Sequence, residues 1–159
     1  MDTGGQTTPR KQDLASVARD IIDSNAYMTL ATADENGCPW ASPVWYAAEG
    51  YEHFYWVSSP EARHSRNVAV RPEVGIVIFD SRAPVGTGQG VYVSAIAEEL
   101  AGTELDRGIG VYSRRSQAHG AGGWTREDVT PPARHHLYRA TASEHSVLDD
   151  KDRRTLVRV

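Results

Sequence analysis

Ser58-Ser59-Pro60-Glu61-Ala62-Arg63-His64-Ser65-Arg66-Asn67 is the stretch of this chain whose residue types could do chemistry. The apolar run from His53 to Val57 leads into it, so the segment reads as a buried strand passing into a helix. Ser59 suits an N-cap, Pro60 the first helical position, and Glu61 the first turn, where negative charge meets the positive end of the dipole. A helix start presents backbone N–H groups with no partner of their own. Beside them Arg63 can grip an anion bidentately, with Ser58, His64 and Arg66 close by. The chemistry is that of an anchor for a dianionic phosphate. An exposed helix with solvated arginines accounts for the same residues.

Other reactive patterns are absent. There is no Gly-x-Ser-x-Gly elbow and no Walker loop. His135 and His136 are adjacent and would point to opposite faces of a strand, which makes them a poor metal pair. Glu98 and Glu99 fail as a facing carboxylate pair for the same reason. His119 lies in a Gly-rich loop as a solvated residue, and Cys38 reads as a small turn residue between Gly37 and Pro39. Gly86-Thr87-Gly88-Gln89-Gly90 precedes a strand rather than a helix, so it is a β-loop and not a dinucleotide fingerprint.

Composition narrows the partners. Of 159 residues, 40% are hydrophobic and 24% charged, as in a globular protein. The net charge of −4 gives generic nucleic-acid binding no electrostatic support. The basic residues are mostly arginine, with Lys11 and Lys151 as the lysines, which favours planar anion recognition. A single cysteine excludes an intramolecular disulfide and fits a reducing compartment. No apolar run approaches the ~20 residues of a membrane span and no signal peptide is visible, so a cytoplasmic protein is expected.

The elements that must position the anchor follow in chain order. Residues 1–9 read as a disordered tail and 10–159 as one domain. Leu14, Val17, Ile21 and Ile22 have helical spacing, giving a helix over about 10–24. YMTLATA (27–33), PWASPVWYAA (39–48) and HFYWVS (53–58) read as three strands joined by tight turns, an antiparallel meander. PEARHSRNVAV (60–70) is a helix, VGIVIF (74–79) a strand, SRAPVGTGQG (81–90) a loop and VYVSAIAEEL (91–100) a strand. Thr103 starts a helix to about Gln117, and Thr125 with Asp128 opens a short one. Residues 136–142 and 154–159 supply the last strands. The order predicts a mainly β fold, a six- to seven-stranded antiparallel barrel with flanking helices. Trp40, Trp45, Tyr46 and Trp56 read chiefly as core and interface bulk.

The spaced segments TLATADENGCPWASPVWY, FYWVSSPEARHSRNVAVRPEVGIVIFD and VYVSAIAEEL resemble, in that order, the split barrel of the pyridoxamine 5'-phosphate oxidase-like superfamily. The resemblance implies a homodimer that holds FMN, or in some branches a deazaflavin coenzyme F-420, between subunits. It places Ser42, Pro43, Val44 and Trp45 beside the isoalloxazine ring. Ser58 falls near the ribityl chain and phosphate, Arg63 and His64 on the phosphate, and Asn67 in the step after them. Gln89 lies close to where a second subunit's glutamine approaches the ring. Bound phosphate would raise the pKa of His64. The family's Arg-Leu-x-Pro ending is replaced by Arg-Thr-Leu-Val-Arg-Val, so the resemblance carries the cofactor platform rather than oxidation of pyridoxamine phosphate itself. The expected function is an FMN-dependent oxidoreductase acting on a small molecule. Its alternatives are a deazaflavin-dependent reductase or a non-catalytic flavin- or haem-binding protein.

Overall fold

A computed structural model of the chain, which describes residues 13–149 and 151–159, is mainly β. The expected tail and the first residues of the expected helix 10–24 lie outside the described residues. The elements are α1 (Leu14–Ser24), β1 (Tyr27–Ala33), β2 (Pro39–Trp45), β3 (Ala47–Glu49), β4 (His53–Ser58) and α2 (Arg63–Val70). They continue with β5 (Glu73–Phe79), β6 (Gly90–Glu99), α3 (Gly102–Ala118), a 3-10 turn (Arg126–Asp128), β7 (His136–Leu148) and β8 (Arg154–Val157).

All pairings are antiparallel, in the order β2-β1-β5-β6-β7-β4-β3, with β8 added to β7. These are eight paired segments, but β2 and β3 are halves of one run interrupted at Tyr46, so seven continuous strands build the sheet. The path therefore starts and ends on the same stretch of chain, and the sheet curls round as the split barrel expected from the sequence.

Tight turns join β1 to β2 and β3 to β4, so the three expected strands follow one another antiparallel, with the middle run pairing β1 through β2 and β4 through β3. The other edge of β4 takes β7. Pro39 and Pro43 lack N–H donors, which suits β2 to an edge with β1 as its sole partner. The differences from expectation are local. β7 runs on to Leu148 because Ser143 is an extra residue opposite Ser94/Ala95, a bulge that breaks the alternation the sequence shows. α3 starts at Gly102 with Ala101, not Thr103, at its cap.

Alternation decides what fills the barrel. Met28 and Leu30 from β1, Val44 from β2, Ile76 and Ile78 from β5, and Val91 and Val93 from β6 point inward, around Phe54 and Trp56 of β4. Trp56 stacks on Tyr138 of β7, with centroids 5.6 Å apart. α1 closes the barrel with Ala18 and Ile22, both fully buried. On the other side α3 packs Leu105, Val111 and Tyr112 over Ala47, Tyr55 and Leu137.

Tyr46 ties closure to α1. Its N–H donates to Ala26 O at 3.3 Å, and its buried hydroxyl donates to Ile22 O in the last turn of α1, where no later helical N–H reaches. Burial also pushes its phenol pKa far up, so it stays a donor. Tyr46→Phe would leave that carbonyl unpaired and cost about 1–3 kcal/mol. Urea unfolding should show a lower midpoint with unchanged m; an unchanged midpoint would show that the bond contributes nothing.

Candidate cofactor site

The helix start differs from the sequence expectation by a turn of chain. Ser59-Pro60-Glu61-Ala62 forms a β-turn, with Ala62 N–H donating to Ser59 O at 3.0 Å and Glu61 N–H to Ser59 Oγ at 3.2 Å. Proline at the second position stabilises such a turn, so the Ser59 hydroxyl is spent locally rather than as a cap. Helix α2 begins at Arg63 instead, with Ala62 as an N-cap that offers no side-chain bond. Arg63 and His64 thus become its first two residues, beside uncapped N–H groups.

Three of the expected residues meet there. Ser58 Oγ lies 2.7 Å from His64 Nε2, and Ser42 Oγ lies 3.2 Å from His64 Nδ1. Trp40 Nε1–H donates to Ser42 Oγ at 2.9 Å. Two directions satisfy this chain: Ser42 O–H donates to His64 Nδ1 and His64 Nε2–H to Ser58, or His64 Nδ1–H donates to Ser42 and Ser58 O–H to Nε2. In the first of them the Ser58 proton is available to a further acceptor. Burial holds the His64 pKa below the ordinary histidine value of 6.5, so the imidazole is neutral at pH 7 without a ligand.

The charge of the site belongs to Arg63. Its guanidinium carbon stands 4.4 Å from the centroid of Trp40, which is 42% exposed. Among the described residues it makes no ion pair and no hydrogen bond, so its fork is positioned by the indole with every donor unspent. An uncapped helix start, a serine hydroxyl beside it and an uncommitted guanidinium fit a phosphate group.

The remaining expected residues separate. Asn67 is 4% exposed and donates to Thr32 Oγ1 at 2.9 Å, which ties α2 to β1. Pro43 and Val44 cannot share a surface: Pro43 is exposed on the outer face, and Val44, 8% exposed, points into the core. The side chain of Val44 therefore does not lie on a ring plane, and a charge there would damage the barrel first. Trp45 faces outward, edge-on to Tyr112 at 5.1 Å. Gln89 sits before β6, in a hollow with Phe79 and Tyr92, and does not meet the others within one chain. Trp40, read from sequence as core bulk, is the residue the sequence reading missed. Its position two before Ser42, hence on the same face, was the available signal.

A family model described as pyridoxamine 5'-phosphate oxidase matches residues 14–148. No curated protein matches the chain. Among solved structures, a haem-binding protein from Mycobacterium smegmatis superposes with a TM-score of 0.73 at 23% identity, over 93% of this chain and 59% of that one. The chain thus spans less than two thirds of that protein. An FAD-binding protein from Mesorhizobium loti matches at 0.61 and 22% identity, over 87% of this chain and 95% of that one. An F420 reductase matches at 0.59 and 20% identity, over 81% and 95%. At these identities the likeness is one of fold.

His64 gives the site a pH signature even without a cofactor. The unfolded chain takes up a proton near 6.5 that folded His64 refuses, as does His145, also lowered by burial. Stability from this source is full above 6.5 and falls as pH drops from there through the lower folded-state value. His64→Gln should flatten part of that fall when urea midpoints are compared between about pH 7.5 and about pH 5. An identical slope in the variant would mean that folded His64 titrates as an exposed histidine does.

Proposed function

The chain belongs to the pyridoxamine 5'-phosphate oxidase family, and on that premise we propose that it is an FMN-dependent oxidoreductase acting on a small molecule. The observation that carries this reading is Arg63, held on Trp40 at the uncapped start of α2 with its donors unspent. Arg63 binds the phosphate, Ser58 donates to it, and neutral His64 orients Ser58 and Ser42. The ring lies along the edge of β2 that has no strand partner, on the outward side of Pro43 and Trp45. FMN supplies hydride transfer at its N5, and the protein supplies anchoring, orientation and exclusion of water.

A deazaflavin with a polyglutamate tail would call on further cations near the anchor. Arg66 is turned back onto Glu61, and Arg71 donates to the carbonyls of Asp34 and Glu35. Those commitments favour FMN. Haem carriage is the second reading, supported by the likeness to a haem-binding protein. The absorption spectrum of the purified protein, with mass spectrometry of the released cofactor, separates the three: a Soret band or a released deazaflavin would overturn the FMN reading.

The ring needs a second copy of the chain to cover it. The outer face of β2-β1-β5-β6 carries a row of small residues, Ala41-Ala31-Gly75-Ser94, with Tyr27 61% and Phe79 49% exposed on the same face. Large exposed apolar groups beside small residues suit a C2 interface, and Gln89 would approach the partner's ring across it. Light scattering should give about twice 17.4 kDa, and a mass near 17.4 kDa at micromolar protein would overturn the dimer.

The phosphate anchor is tested by removing its charge. A charge-assisted bond contributes about 1.5–3 kcal/mol, or roughly 10- to 150-fold in affinity. Arg63→Ala should weaken FMN by that factor and leave riboflavin, which lacks the phosphate, nearly unchanged. Equal losses for the two ligands, or none, would put the phosphate elsewhere.

A further inference from the structure

We propose that the cavity between α3 and the 3-10 turn is a binding site for an organic cation of the alkylated ammonium type. The cavity has a volume of about 480 Å³, within the range of small-molecule sites. Trp45 alone is shared with the expected cofactor residues, so the inference goes beyond the cofactor reading and does not depend on it.

Four rings line the hollow in an edge-to-face series. Trp124 meets Tyr112 at 77°, Tyr112 meets Trp45 at 86°, and Trp45 meets His119 at 87°. All four line one hollow, so aromatic surface bounds it on several sides, and aromatic rings attract cations. The walls are fixed before any ligand arrives. Ser113 Oγ donates to Trp124 O at 2.9 Å and accepts from Trp124 N–H at 2.7 Å, and Ser116 Oγ donates to Gly122 O at 2.7 Å. Both serines stand on α3, so the loop that carries Trp124 is bolted to the helix that carries Tyr112.

The charge on the lining has the complementary sign. Asp128 takes both bonds from Thr125, N–H at 2.8 Å and Oγ1–H at 2.7 Å, on one oxygen, Oδ2. Among the described residues its Oδ1 has no protein partner. The same two bonds hold its carboxyl below the usual range, so it is ionised at neutral pH. Neighbouring cations are committed elsewhere: Arg126 pairs with Asp106 at 3.2 Å, and Arg115 lies nearer Tyr46 than Trp45 and donates to Asn25 O.

Choline and 3,3-dimethylbutan-1-ol share a shape and differ in the charge of one atom. Calorimetry on the full chain should show choline binding roughly tenfold tighter than the alcohol. Asp128→Asn and Trp124→Leu should each remove most of that preference. Thr125→Ala, which removes the Oγ1–H bond but keeps the backbone bond and the carboxylate, should retain it. FMN affinity should stay unchanged in all three variants, so failure of the cation site and failure of the cofactor reading are read separately. Equal affinity for the two ligands, binding by neither at millimolar concentration, or a preference that survives both Asp128→Asn and Trp124→Leu would overturn the proposal.

Discussion

One stretch of chain, Pro39 to Glu49, must supply both ends of the sheet, and most of the architecture follows from that constraint. The run can be β2 at one end and β3 at the other only if it turns sharply between them, and the turn falls at Tyr46. A fully buried tyrosine at such a corner needs partners for its hydroxyl and its amide, and α1 and the residues just after it provide both. The N-terminal helix is therefore a fixture of closure. It presses Ala18 and Ile22 into the barrel and receives Tyr46 at its end.

The same constraint exposes the edge on which the candidate site is built. With β2 at the end of the path, its second edge has no strand, and α2 stands beside it. His64 joins three elements there, reaching Ser58 at the end of β4 and Ser42 in the middle of β2 from the first turn of α2. Because the imidazole is neutral, its contribution is to set hydroxyl directions, and the positive charge is left to Arg63. Orientation and charge thus sit on consecutive residues. That division lets an anion be attracted without burying a second cation, whose desolvation would cost several kcal/mol.

How far the sequence discloses this depends on the range of the interactions. Strands β1 and β4 begin and end where alternation and turn residues place them, because both signals are local. The Thr125/Asp128 capping box is legible for the same reason. Pairing is not local. Nothing near β4 announces that β7 will take its second edge, and the bulge at Ser143 hides half of β7 from a period-two reading. At the site, Ser58, Arg63 and His64 are legible as residue types, but the start of α2 is fixed by competition between a helix cap and a proline turn, and the turn wins. Trp40 is hidden because a tryptophan in a strand is ordinarily core. Its exposure follows from the edge position of β2, a property of the whole sheet.

Alternation along β2 also limits what the edge can hold. Ser42 and Val44 face inward with α2 and the core, while Pro43 and Trp45 face outward, so the anion anchor and the outward aromatic surface lie on opposite sides of one strand. A ligand that uses both must pass round the unpartnered edge. A planar ring with its acidic groups on short arms reaches one side or the other. A ring joined to its phosphate by a flexible polyol chain can lay the ring on the outer face and still deliver the phosphate to Arg63 at the tip of α2. The proposal of FMN thus draws on the two faces of this strand as well as on the charge of Arg63. The two faces bear on the linker, the part of the ligand that carries no charge and does no chemistry.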